Sequence, residues 1–160
     1  MSNPALDIAA RIRAGETTAR AVVEAALARI AAHNPAVNAF TAVLAERALA
    51  AAAAVDARIA AGEATGPLAG VPFAAKNLFD LAGLPTLAGS RIRRTAPPAT
   101  RDAFLVRQLE AAGAICVGAL NMDEFAYGFT TENRHDGPAR NPHDLSRIAG
   151  PSWLFSVVKP

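Results

Sequence analysis

Two short apolar runs on either side of a helical segment limit the sheets that this chain can form. The runs are GVPFAAK at 70–76 and AGAICVGAL at 112–120. They predict strands near 70–75 and 114–119, with a helix near 101–112 between them. Consecutive strands joined by a helix pair in parallel through a right-handed crossover. The pattern therefore predicts an α/β fold with a largely parallel sheet.

The helix between the two runs has a start, a face and a stop in the sequence. Asp102 suits the first turn, where a carboxylate faces the positive end of the helix dipole. Leu105, Leu109 and Ala112 recur at helical spacing and predict the buried face. Gly113 supplies the C-terminal stop.

The first 65 residues are rich in alanine and helical in period. One helix is predicted from Ala19, with Thr17 or Thr18 as its cap, and the HNP sequence at 33–35 is expected to end it. Its apolar stripe consists of Ala19, Val22, Val23, Ala26, Leu27 and Ile30.

A second alanine-rich helix follows and is expected to stop at Gly62. Its apolar face consists of Leu44, Ala48, Ala51, Val55 and Ile59. We therefore expect two regions in the chain, a helical segment over 1–65 and an α/β region over 66–160.

The composition is that of a globular chain in a reducing compartment. Of 160 residues, 52% are hydrophobic and 19% are charged, and the net charge is +2. Cys116, the single cysteine, lies in an apolar run and is expected to be a buried thiol. The N-terminus has no apolar signal region, and no window is apolar enough for a membrane span. The expected location is the cytoplasm, with no membrane partner.

Lys76 stands at the end of the first apolar run, where a charged amine is costly to bury. Three interpretations follow: the side chain reaches water, it pairs with the nearby Asp80, or it serves as a neutral base. Catalytic groups of α/β sheets lie at the carboxyl ends of strands, and Lys76 is at such an end.

Three stretches in this order resemble the amidase signature family. They are GPLAGVPFAAKNLFDLAGLPTLAGS, AAGAICVGALNMDEFAYGFTTEN and GPARNPHDLSRIAG, and together they span Gly66 to Gly150. The resemblance implies the N-terminal part of the amidase fold, a mixed and largely parallel sheet flanked by helices. A branch of bacterial amidohydrolases is the nearest subgroup, and the A subunits of aminoacyl-tRNA amidotransferases form a neighbouring one.

The resemblance also implies a chemistry, in which a Ser, cis-Ser, Lys triad cleaves a small amide without metal or organic cofactor. Lys76 matches the lysine base, and Ser152 matches the bridging serine that passes a proton from the nucleophilic serine to the amine. Met122, Phe125 and Tyr127 match a region near the substrate, although ordinary core packing explains them equally well.

The sequence departs from the family pattern after Gly150. Pro151 and Trp153 stand where the family has glycine and serine, and the nucleophilic serine is expected beyond Pro160. Ser156 is interpreted as an ordinary serine in an apolar tail. The chain is therefore expected to be inactive alone, and a remnant that binds a partner or a fragment of an amidotransferase A subunit stays an alternative.

Partners other than a small amide have weaker support, and a homo-oligomer is left open. The arginines between 91 and 107 are interpreted as a solvated loop around Asp102, so no nucleic acid is expected. The three histidines share no helical face and predict no metal site. The apolar tail WLFSVV predicts poor solubility.

Overall fold

The structure is a computed structural model, and it describes residues 4–150 together with the backbone of 156–157. Its helices are α1 (Pro4–Arg13), α2 (Ala19–Val37), α3 (Ala45–Ala60) and α4 (Phe104–Ala111). Its strands are β1 (Phe40–Val43), β2 (Pro72–Lys76), β3 (Ile115–Leu120), β4 (Arg140–Asn141), β5 (Asp144–Ile148) and β6 (Ser156–Val157). In this part of the chain, every helix is too short or too polar to cross a membrane.

A four-stranded mixed sheet in the order β1, β3, β2, β6 forms the centre of the fold. The central strands β2 and β3 are parallel and are joined through α4, as the sequence predicts. The edge strands β1 and β6 are both antiparallel to their neighbours. Strands β4 and β5 form a separate antiparallel pair.

Helices cover both faces of this sheet. Successive side chains of a strand point to opposite faces, so the apolar strands present apolar side chains on both faces. On one face, Ala74 and Val117 pack with residues of α1, α2 and α3. On the other face, Phe73 and Cys116 pack with Val106 of α4. The buried thiol predicted at Cys116 is confirmed, with 1% of the residue exposed.

The stripe predicted for α2 is confirmed, and its start is doubly capped. Thr18 Oγ1 accepts from the amide of Ala21 at 3.0 Å. The carboxylate of Asp56, from α3, accepts from the amides of Ala19 and Arg20 at 2.7 and 3.0 Å. These bonds satisfy three of the four amides that the first turn leaves without helical partners.

The predicted end of α2 at residues 33–35 is wrong, because the helix runs through Pro35 to Val37. Proline near the last turn removes only one helical hydrogen bond. Asn38 then ends the helix in the left-handed conformation, with its amide bonded to the carbonyl of Asn34. The Asn34 side chain pairs with both backbone groups of Phe40 at 2.7 and 3.0 Å, which leads directly into β1.

The second alanine-rich helix predicted before Gly62 is confirmed as Ala45–Ala60, but the preceding strand β1 was not predicted. The strand has three residues of intermediate burial and an exposed Val43, so it offers little periodicity, and it is defined by its pairing with β3 across about 80 residues of chain. The helix α1 was not predicted either. It buries Ile8, Ala9 and Ile12 against the first core cluster.

The prediction for the face of α4 is confirmed at Leu109 and wrong at Leu105. The helix begins at Phe104, so its inward positions are Val106 and Leu109, and Leu105 is 46% exposed. Asp102 lies before the helix rather than in its first turn, because its carboxylate is bound by Arg47 of α3 at 2.7 and 2.9 Å.

Candidate active site

Lys76 is the last residue of β2 and pairs in register with Leu120, the last residue of β3. The four strand residues before Lys76 are buried, and Lys76 itself is half-buried. The lysine predicted to be a base therefore lies at the carboxyl edge of the two parallel strands. It is the only lysine before Lys159.

Asn77, the next residue, fixes the loop that leaves β2. Its amide donates to the carbonyl of Leu120 at 3.0 Å, which extends the pairing with β3 by one residue. Its carbonyl and its side-chain Oδ1 accept from the amides of Ala88 and Leu87 at 2.9 and 3.2 Å. Its Nδ2 donates to Thr41 Oγ1 of β1 at 3.2 Å. One buried asparagine thus joins three strands to the loop at 86–90.

The loop at 86–90 packs directly against the segment that follows β3. Ser90 is fully buried and its hydroxyl donates to Glu124 Oε1 at 2.5 Å. The amide of Phe125 donates to the carbonyl of Ala88 at 2.8 Å. At Gly89, with φ of +64°, a Cβ would lie 2.8 Å from the carbonyl oxygen of Met122. Only glycine fits this conformation and this approach together.

Two buried asparagines hold the segment after β3 in place. Asn121 Nδ2 donates to the carbonyls of Asn38 and Gly137, both at 3.1 Å. Asn133 Nδ2 donates to Asn121 Oδ1 at 2.7 Å and to the carbonyl of Met122 at 2.8 Å. Asn133 Oδ1 accepts from the amides of His135 and Asp136. Because these amides are satisfied within the network, the loop is tied firmly to the edge of the sheet.

The buried carboxylate of Asp123 organises the turn at 128–132. Asp123 Oδ1 accepts from the amides of Thr130 and Glu132 at 3.2 and 3.3 Å. Thr131, between them, donates through its hydroxyl to the carbonyl of Gly150 at 2.9 Å. The turn is thereby connected to Gly150, the first residue of the segment 150–157, which contains Ser152 and is called the serine segment below.

Of the predicted site residues, Lys76 lies at the edge of the sheet and Ser152 lies outside the described residues, as do Pro151 and Trp153. Met122 is buried, with 1% exposed. Phe125 and Tyr127 are 51% and 94% exposed. Tyr127 helps to line an open cavity of about 420 Å³ formed by residues 126–129. Their roles in catalysis and substrate binding stay predictions.

The predicted arginine cluster is divided between structural and solvated positions. Arg107 donates to the carbonyl of Asp102, and Arg93 donates to the carbonyl of Thr86. Arg93 and Arg101 line a second open cavity of about 320 Å³. Within the described residues, no group of three histidine, cysteine or acidic side chains is placed to hold a metal.

The sequence analysis missed the asparagines at 77, 121 and 133, although each had a positional signal. Asn77 and Asn121 directly follow the two predicted strands, where the carboxyl edge begins. Asn133 lies in the TEN sequence quoted for the family resemblance. Their hydrogen bonds reach up to 83 residues away, so the partners were not readable from local pattern.

A mixed sheet with helices on both faces and a lysine at its carboxyl edge defines an α/β core. The family model for amidases matches residues 21–152, and the chain belongs to the amidase family. The resemblance to the amidase signature family seen in the sequence is confirmed.

Particular relatives place the chain more closely within the family. It is 60% identical to AtzE, a subunit of the 1-carboxybiuret hydrolase of Pseudomonas sp. (strain ADP), over 92% of this chain and 32% of that protein. It is 54% identical to the A subunit of the glutamyl-tRNA(Gln) amidotransferase of Acidothermus cellulolyticus, over 92% of this chain and 29% of that protein. The chain thus spans about a third of the length of these curated relatives.

A solved structure agrees with the same assignment. The inhibitor-bound vestigial complex of an s-triazine catabolic enzyme superposes with a TM-score of 0.89 at 60% identity. The match covers 91% of this chain and 32% of that one. The fold described above is therefore the N-terminal part of the amidase fold.

Proposed function

We propose that this chain carries the lysine base and the bridging serine of an amidase that hydrolyses the carbon–nitrogen bond of a small amide. The observation that carries the proposal is the position of Lys76 at the carboxyl end of β2, inside a family match that extends to Ser152. The nucleophilic serine belongs to the part of the relatives that this chain does not span.

Contacts at both described ends of the segment that contains Ser152 support the proposed proton transfer between the Ser152 hydroxyl and the Lys76 amine. On one side, the carbonyl of Gly150 is bound by Thr131 in the loop after β3. On the other side, Ser156 pairs with Ala74, two residues before Lys76. The five residues between these ends can span at most about 18 Å, and this short reach supports the proposal.

The proposed proton path runs from the nucleophilic serine through the hydroxyl of Ser152 to the amine of Lys76. The oxygen of the nucleophilic serine attacks the amide carbonyl as its proton leaves. Backbone N–H groups near the nucleophilic serine stabilise the tetrahedral oxyanion. The proton then returns to the leaving nitrogen, and water repeats the cycle to release the acid. No metal or organic cofactor takes part.

A chimera tests the lysine base of this proposal, with residues 1–150 of this chain joined to the remainder of AtzE from its own serine loop onward. We expect ammonia release from 1-carboxybiuret or simple amides, because the hybrid restores a complete site. Lys76→Met and Lys76→Arg should each lower kcat about 10²- to 10⁴-fold, since neither side chain can serve as the base.

Arg94→Met is the matched control, because it removes an exposed cation of the loop outside the site. It should leave kcat within about twofold of the unmodified chimera, as expected for a surface side chain. Full activity in both Lys76 variants would refute the assignment of the base.

The amidotransferase A subunit is the second candidate, favoured by the 54% identity to that protein. A second chimera, joined to the remainder of that A subunit, would support it by releasing ammonia from glutamine while the AtzE chimera stays inactive. A fluorophosphonate probe separates both enzymes from a remnant, because covalent labelling requires an activated serine.

We also propose a cytoplasmic location, in which the buried thiol of Cys116 stays reduced. A second copy of the chain is a further candidate partner. Light scattering of the purified chain across a concentration series measures that association directly.

A further inference from the structure

The hydroxyl of Thr131 lies where two segments of the site meet. Thr131 Oγ1 donates to the carbonyl oxygen of Gly150 at 2.9 Å, and only 5% of Thr131 is exposed. A buried hydroxyl without a partner is costly, so this hydrogen bond selects one arrangement of the two segments. Gly150 has a φ of +83°, a conformation that favours glycine.

The backbone on both sides of Thr131 is fixed, so its hydroxyl has a defined direction. The Asp123 carboxylate binds the amides of Thr130 and Glu132. The carbonyl of Thr131 accepts from the amide of Ala139 at 2.9 Å. Thr131 itself has a φ of +55°, which is uncommon for a β-branched residue and is maintained by these contacts.

The loop that carries Thr131 is in turn attached to the edge of the sheet. Asn133 bonds to Asn121, which directly follows β3. Leu120, the last residue of β3, pairs with Lys76. Hydrogen bonds and short stretches of backbone therefore connect the carbonyl of Gly150 to the strand pair that ends at Lys76.

We propose that Thr131 is a positioning residue for the serine segment. Its hydroxyl fixes the carbonyl of Gly150, two residues before Ser152, relative to the amine of Lys76. This inference rests on the proposed function, because it is that function which gives Ser152 the bridging role. It assigns to Thr131 a task distinct from contact with the substrate.

Hydrogen exchange of the 160-residue chain tests the proposal without requiring catalysis. Thr131→Val keeps the shape of the side chain and removes the donor. Amides in 149–157 should then exchange about five- to tenfold faster, as expected from the loss of one hydrogen bond. Thr131→Ser keeps the donor and should restore the original rates.

Thr130→Val is the matched control, because the neighbouring hydroxyl lies 3.3 Å from Asp123 and makes no bond to Gly150. It should leave exchange in 149–157 unchanged. Equal exchange in this segment for the Thr131→Val variant and the original chain would overturn the proposal.

A second measurement on the unmodified chain applies if Thr131→Val does not fold. A hydrogen-bonded, buried hydroxyl proton exchanges slowly enough to be seen by NMR, and it should show a nuclear Overhauser contact to the Gly150 region. Rapid exchange of that proton with water would overturn the proposal independently of any variant.

The amidase chimera separates this inference from the proposed function. Thr131→Val should lower its kcat about tenfold with KM within about twofold, and Thr131→Ser should restore kcat. An inactive chimera with normal protection of 149–157 would count against the proposed function alone. An active chimera whose kcat is insensitive to Thr131→Val would count against the positioning role alone.

Discussion

At the scale of single residues, burial decides what the side chains of β3 can do. Cys116 faces the α4 side of the sheet, where Phe73 and Val106 also pack. Its thiol makes a weak contact to the carbonyl of Gly118 at 3.8 Å. Burial in this apolar cluster raises the pKa of the Cys116 thiol to about 11. The residue is a small core side chain rather than a nucleophile.

This burial predicts that Cys116 resists alkylation in the folded chain. At pH 8, iodoacetamide should modify it at least about 100-fold more slowly than in urea, because the reactive thiolate is nearly absent and the residue is 1% exposed. Mass spectrometry over time measures both rates. Equal alkylation rates in the folded chain and in urea would show that Cys116 is readily accessible and would contradict the prediction.

The same shift predicts a loss of stability in alkali. The ordinary pKa of the thiol is 9.0, so the stability of the folded chain is not reduced by this residue below that pH. As the pH rises toward 11, the unfolded state gains the thiolate and the free energy of unfolding falls by roughly 2 kcal/mol. Urea unfolding at pH 7.5 and 10.5 measures this, and Cys116→Ala should lack this contribution to the pH slope.

At the scale of elements, one network of ion pairs joins helices that pack on the two faces of the sheet. Arg47 of α3 binds both oxygens of Asp102 and also Glu110 of α4 at 2.7 Å. Asp102 Oδ1 accepts in addition from the amide of Ala82 at 2.8 Å. The hydrogen bond from Arg47 is the main reason that the pKa of Asp102 lies below its usual value.

Asp102→Asn should lower the free energy of unfolding by about 2 kcal/mol at pH 7, because it leaves a partly buried guanidinium without its main partner. Glu63→Gln is the matched control, since its pair with Arg58 at 3.2 Å is more than half exposed. That change should cost less than about 0.5 kcal/mol. Urea titration measures both, and equal effects would contradict the role given to the network.

The network also predicts how the free energy of unfolding changes as the pH falls. The contribution of Asp102 is complete above the pKa of an unfolded aspartate, about 3.9, and is lost as the pH falls through the lower folded value. The difference in stability between the original chain and Asp102→Asn should therefore narrow below about pH 4.

At the scale of the whole molecule, several large apolar side chains remain exposed. Ile92, Phe104, Tyr127 and Phe129 are between 63% and 94% exposed. Phe104 and Leu105 are adjacent on the outer side of α4. Exposed apolar surface of this kind promotes association, in agreement with the poor solubility predicted from the sequence.

Phe104→Glu combined with Leu105→Lys should raise the concentration at which the chain stays monomeric. Both positions lie outside the core, so the melting temperature should change little. Static light scattering from about 5 to 200 μM checks the prediction. A monodisperse, unmodified chain over this range would contradict it.

Residue pattern alone predicted the elements that have a helical period or a continuous apolar run. The stripe from Ala19 to Ile30 identified α2, and the two apolar runs identified β2 and β3 with Lys76 at the edge. Periodicity succeeds here because it records which side of an element faces the core. It placed the stop of α2 at Pro35 and the face of α4 at Leu105 incorrectly, because caps and helix starts depend on distant partners.

The sequence by itself determined the helices α2, α3 and α4, the parallel strand pair and the position of the lysine at the end of β2, since these follow from local side-chain spacing. Only the tertiary structure decided that β1 joins the sheet, that Asn121 and Asn133 fasten the loop after β3, and that Thr131 holds Gly150. These contacts join residues 12 to 83 apart. Their partners are mostly backbone groups, which every residue carries, so no residue type in the sequence identifies them.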